Sequence, residues 1–324
     1  MIVPQFWAEA RIRDRVDGHQ VTLRRFGWSD VGQQQAQAHA DERVREALAR
    51  VVAGEVLPQR DPKRAYNGAD GMPIREEIVG RHGEAIVTRN SYGALCLNTP
   101  DVLFADIDFQ EGPSGGITCC AMALFLPVAI AFGWWMQSIQ YGLMAVAAAL
   151  AFGRAVAVGW HWLLLLSLGG PERRARRRID RFIERHPDWH LRLYRTPAGL
   201  RVLAMQRTFD PREPAVAECF DALGTDPIYV RMCWNQNCFR ARISPKPWRI
   251  GIGHIRPRPG VWPVEPDRLP QRRQWIAEYE RAALHFASCQ FLDDIGSPTL
   301  HPAARAIQVL HDELCQATRP LPIA

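Results

Sequence analysis

Val102-Leu-Phe-Ala-Asp-Ile-Asp-Phe109, followed eight residues later by the uncharged run Ile117–Met136, decides how this 324-residue chain is read. The first segment alternates like a strand. Side chains on a strand repeat every two residues, so Asp106 and Asp108 fall on one face. The second segment is long enough to cross a hydrocarbon core of about 30 Å. Gln137-Ser-Ile-Gln140 interrupts it, and Tyr141–Leu168 is apolar again apart from Arg154 and His161. The pattern predicts a strand bearing a carboxylate pair that leads into a two-helix transmembrane hairpin.

Working outward, the formal charge of +6 is unevenly spread. Arg173, Arg174, Arg176, Arg177, Arg178 and Arg181 follow directly on the second apolar run. A basic cluster beside a membrane segment holds that end in the cytosol and attracts anionic headgroups. A hairpin returns the chain to the side it left. The expected organisation is therefore residues 1–110 as a cytosolic part ending in the D-x-D strand, 117–168 as the transmembrane hairpin, and 171–324 completing the same cytosolic domain. The expected location is the cytoplasmic membrane. Met1–Ala10 lacks both an apolar core and an early basic region, so no leader is expected. The eight cysteines lack the spacing of a disulfide framework, which fits a reducing compartment.

Elsewhere the chain reads as alternating short elements. Phe6–Phe26 predicts a hairpin around Asp17-Gly18. Ser29-Asp30 is placed to cap the helix carrying Val44, Ala47, Leu48, Val51 and Val52, and Leu57–Pro73 reads as a loop. Glu84–Thr88 and Ala94–Leu97 are strand candidates. Arg174–Arg185 reads as a basic helix, Leu191–Leu203 as two strands around Pro197-Ala-Gly199, and Pro214–Leu223 as a helix. Ile228–Met232 and Phe239–Ile243 alternate as strands. Gln271–Cys289 and Pro302–Cys315 read as amphipathic helices, and Asp293-Asp294 as a helix end. Without a regular βα repeat, the class is α+β.

Two carboxylates on one strand face can share a divalent ion, Mg²⁺ or Mn²⁺. They also read as two solvated acids at a strand end. Arg240, Arg242, Lys246 and Arg249 with Trp248 form a candidate phosphate site with a stacking surface, or an edge strand guarded by charge. Only Lys63 and Lys246 are lysines among forty basic residues, which marks Lys246 out. Cys233 and Cys238 form C-x4-C with His254 beyond, but without a second cysteine pair they read as buried structural thiols. His285, His301 and His311 read as structural or solvated helix histidines.

The order of the D-x-D strand, a helix, and Leu193-Tyr-Arg-Thr-Pro-Ala-Gly-Leu-Arg-Val202 resembles the archaeo-eukaryotic primase superfamily. Phe239–Trp248 is similar to a basic strand segment of some members. The resemblance spans roughly Ala94–Arg249, interrupted by the hairpin. It implies a primase-like mixed sheet with flanking helices, metal on Asp106 and Asp108, and nucleotide phosphates near Arg195 and Gly199. Arg201 stands where the family carries a histidine, and arginine replaces a switchable group with a fixed charge. The resemblance implies a nucleotide- or nucleic-acid-binding domain on the bilayer, with metal-dependent nucleotidyl transfer as its activity. The alternatives are a non-catalytic membrane-tethered binding or scaffold protein and a D-x-D metal-dependent glycosyltransferase.

Overall fold

The computed structural model describes residues 3–61, 72–109, 112–167 and 169–324. The chain separates into two compact units, one combining Met1–Ile107 with Phe182–Ala324 and the other comprising Asp108–Arg181. In chain order the elements are β1 (Phe6–Val16), β2 (His19–Ser29), α1 (Gln33–Val52), β3 (Glu77–His82), β4 (Ala85–Arg89), β5 (Leu95–Thr99) and β6 (Phe104–Asp108). Helices α2 (Gly115–Trp135), α3 (Ile139–Ser167) and α4 (Gly170–Arg185) follow. Then come β7 (His190–Thr196), β8 (Gly199–Ala204), α5 (Pro214–Leu223), α6 (Pro227–Gln236), β9 (Phe239–Arg242), α7 (Leu269–Ala283), β10 (Gln290–Gly296) and α8 (Pro302–Cys315).

The class is α+β. Where one mixed sheet is expected, the described strands divide among three: β1-β2, β3-β4-β5-β9 and β10-β7-β8-β6. Pairing within the first two, and of β7 with β8 and β10, is antiparallel. The β1-β2 turn follows from Asp17 and Gly18, both at positive φ as a tight hairpin requires. Ala36, Ala40, Val44 and Ala47 of α1 form one buried stripe against Ala8, Ala10 and Leu23. Between the two larger sheets, the Tyr229 hydroxyl donates to the Phe104 carbonyl (2.9 Å) and accepts from the Arg240 amide (3.2 Å).

Several local expectations are corrected. Ile228–Met232 is helical, not a strand. Pro227 opens α6, Asp226 caps the Ile228 amide at 2.7 Å, and Tyr229, Met232, Cys233 and Gln236 share the buried face. Asp293 and Asp294 lie within strand β10 instead of ending a helix, and Arg192 meets Asp294 at 2.8 Å across the strand pair. The helix expected to reach Cys289 stops at Ala283, and Ala287 pairs instead with Ile323. Ser29 and Asp30 do not cap α1, whose N-cap is Gly32; Asp30 accepts from the Gln5 amide. Strand β3 is unforeseen. The expected loop at Leu57–Pro73 falls largely outside the described residues.

In the second unit, α2 and α3 are long and apolar enough to cross a membrane, with mean hydropathy 2.1 and 1.8. Ser114 caps α2 through the Ile117 amide. The pair packs closely where side chains are absent: a Cβ on Gly153 meets Met122 Cα at 2.7 Å and the Ala121 carbonyl at 3.0 Å. These are backbone atoms, so the helices must part to admit any side chain. Gly153→Leu is expected to destabilise the hairpin by about 1–3 kcal/mol, the usual cost of overpacking. Thermal unfolding of the purified chain checks this, and an unchanged midpoint contradicts the close packing.

Candidate functional site

Strand β6 brings Asp106 beside β8, and β8 carries Arg201 opposite Tyr194 of β7. Arg201 is 1 % exposed, whereas about a third of the Asp106 side chain (36 %) reaches solvent. The guanidinium grips the carboxylate with two parallel bonds, Nε to Oδ1 at 2.7 Å and Nη2 to Oδ2 at 3.1 Å. Its remaining nitrogen, Nη1, donates to the Arg242 carbonyl at 2.8 Å and faces His311 Nε2 at 3.2 Å. Burial opposes the charge, but Asp106 outweighs it, and the Arg201 pKa is raised above its ordinary value. Asp108, the next residue on that face of β6, is exposed.

The other expected ligands are dispersed. Gly199 begins β8 and closes the β7-β8 turn through the Thr196 hydroxyl at 3.0 Å, and Arg195 lies opposite Leu200 in that hairpin. Arg240 is buried and committed to Glu76, with Nη2 at 2.8 and 2.7 Å from the two carboxylate oxygens and Nη1 at 3.2 Å from Asn98. Arg242 gives its carbonyl to Arg201, and its own buried Nη1 has no hydrogen-bond partner among the described residues. Lys246 Nζ lies 5.5 Å from the Trp248 ring, whose neighbours are Tyr92 and His254. The described geometry thus gathers Asp106, Arg201 and the Arg242 backbone, while the Arg240 side chain is committed to Glu76.

Behind Arg201 lies a group the sequence reading did not assemble. Asp312 of α8 accepts from the Tyr194 hydroxyl at 2.6 Å, from Arg192 Nη2 at 2.9 Å and from Gln308, and meets His311 Nδ1 at 3.2 Å. Burial works against its ionisation, yet His311, Tyr194 and Arg192 hold its pKa below the ordinary value. His311 Nε2 points the other way, toward Cys289 Sγ at 3.9 Å. Cys289, His311 and Cys315 are all buried, with one ligand atom from each lying within 4.8 Å of the others. His311 and Cys315 sit one turn apart on α8, a spacing visible in the sequence. Cys289 joins them through the tertiary bond from the Ser288 amide to the Cys315 carbonyl, at 3.0 Å.

Cys233 and Cys238 are buried, and burial raises both thiols, Cys238 to about 11. His254 lies instead against Trp248, at 5.1 Å between ring centroids. No family model, curated protein or solved structure matches this chain.

Proposed function

We propose that this chain is a membrane-anchored protein whose cytosolic α+β domain keeps a primase-like D-x-D strand and glycine hairpin as a non-catalytic binding or scaffold module. The observation that carries the reading is the two-bond grip of Arg201 on Asp106. A divalent ion placed on Asp106 must compete with a buried, fixed cation already bonded to both carboxylate oxygens, and like charges at this range repel. The neighbourhood of β6 and the β7-β8 hairpin in one sheet supports the primase likeness. Anchoring at the cytoplasmic membrane, with the larger unit and both termini in the cytosol, is supported by the length and apolarity of α2 and α3 and by the arginine cluster on α4.

A second reading has its own support. Asp106 and Asp108 both reach solvent, which favours an Mg²⁺- or Mn²⁺-dependent nucleotidyl transfer site. The test compares detergent-solubilised wild type with Asp106→Asn/Asp108→Asn, asparagine keeping one of the two acceptor oxygens that Arg201 meets. Nucleotide binding and template-dependent incorporation are measured with each metal. The expected result is no incorporation and equal binding by the two proteins. Metal-dependent incorporation that requires the aspartates overturns the non-catalytic reading in favour of the second.

A further inference from the structure

We propose that Cys289, His311 and Cys315 bind one thiophilic d10 metal ion, Zn²⁺ or Cu⁺, in the interior of the larger unit. The site uses neither Asp106 nor Asp108, although Arg201 links Asp106 to His311, and its test does not depend on the functional reading above. Its ligand types are those that such ions select, two thiolates and an imidazole.

The spacing fits an ion. Bonds of about 2.3 Å to sulfur and about 2.0 Å to nitrogen, opened to the tetrahedral angle, hold the two donor atoms about 3.6 Å apart. Cys289 Sγ and His311 Nε2 are 3.9 Å apart, so a shift of a few tenths of an ångström brings that pair to the bound distance, and the donor atoms of all three residues lie within 4.8 Å of one another. The ligands come from the chain just before β10 and from the last turn and a half of α8, so both backbone segments hold them.

The tautomer of the imidazole is the one that ligation needs, and an ion takes over the Nε2 lone pair from Arg201. Arg201 has no lone pair, so at the 3.2 Å contact His311 Nε2 is the acceptor and the ring proton lies on Nδ1. That proton faces Asp312 at 3.2 Å, and Tyr194, Arg192 and Gln308 fix Asp312 in turn. A carboxylate behind the non-ligating nitrogen is the arrangement that orients metal-binding histidines. Phe104 and Tyr194 flank the ring, with centroids 5.2 and 4.6 Å away.

Charge balance also permits the ion. With two thiolates, Zn²⁺ makes a neutral centre, and Cu⁺ makes one of charge −1. Neither repels Arg201, whose own charge is matched by Asp106. When Nε2 turns to the metal, Arg201 keeps its bonds to Asp106 and to the Arg242 carbonyl.

The experiment is elemental analysis of the full chain, purified under reducing conditions and then loaded anaerobically with Zn²⁺ or Cu⁺ and desalted. The expected result is about one equivalent of one of the two ions per chain in wild type, retained by Cys238→Ser and lost at least tenfold in Cys289→Ser and Cys315→Ser. Retention by the conservative His311→Cys is expected too. Because a serine variant can fail to fold, Co²⁺ is also added to wild type, where thiolate-to-cobalt charge-transfer absorption is expected. Absence of bound Zn²⁺ and Cu⁺ with no such absorption overturns the proposal. So does a bound metal that folded Cys289→Ser and Cys315→Ser retain and Cys238→Ser loses, which assigns it to the C-x4-C pair.

Discussion

Glu76→Leu is expected to lower the stability of the larger unit by about 3–5 kcal/mol, the usual penalty for stranding one charge of a buried pair. Glu76 is 3 % and Arg240 9 % exposed, so water cannot replace the lost carboxylate. The pair also organises its neighbours: Thr88 donates to Glu76 at 2.7 Å, and Asn98 spans Arg240 and the Ile86 carbonyl. Removing the carboxylate therefore leaves a guanidinium and a hydroxyl short of a partner at once. The double variant Glu76→Leu/Arg240→Met is expected to recover most of the loss, because two apolar side chains of similar volume bury no charge. Urea unfolding of the four proteins of this cycle measures the coupling. A single-variant loss below about 1 kcal/mol contradicts the commitment of Arg240 to Glu76 and returns it to the set of residues available for a phosphate.

That ion pair also marks where sequence reading stops. Alternation places Arg240 and Arg242 on a strand, and β9 is that strand. Nothing local says that Glu76, 164 residues away, meets Arg240. The same holds at the carboxylate pair: strand alternation finds β6 and turn chemistry finds the β7-β8 hairpin, but the neighbourhood of β6 and β8 is a tertiary outcome. It turns Arg201 from a candidate ligand contact into the counter-ion of Asp106. The long apolar helices are legible because their hydrophobicity is continuous. Ile228–Met232 misleads because five residues are too few to separate period 2 from period 3.6, and Pro227 with Asp226 outweighs the alternation. Strand β10 is hidden by its two aspartates, of which Asp294 is matched across the strand pair by Arg192. Cys289 is 22 residues from His311, and only the packing of the C-terminal segment against Ala287–Cys289 brings it into the cluster.

The two members of the Arg201–Asp106 pair are expected to respond unequally to substitution, and the inequality bears on what the D-x-D strand can do. Asp106→Leu leaves Arg201, 1 % exposed, with only the Arg242 carbonyl and His311 to meet its charge. The expected loss is about 3 kcal/mol, the low end for a broken buried pair, because the lost carboxylate was itself partly hydrated. Arg201→Met leaves Asp106 with a third of its side chain in water and removes a buried cation. Its main cost is the unpartnered Arg242 carbonyl, about 1–3 kcal/mol, reduced by the good packing of methionine. Thermal and urea unfolding of both variants give the ordering, and an Asp106→Leu protein as stable as wild type contradicts the pair as the charge balance of this interior. The ordering has a functional corollary. If Asp106 is chiefly the counter-ion that permits Arg201 to be buried, Arg201→Met frees the carboxylate, and Mn²⁺ binding at the strand is expected to strengthen over wild type. Equal or weaker Mn²⁺ binding in a folded Arg201→Met protein contradicts the view that Arg201 is what withholds Asp106 from a metal ion.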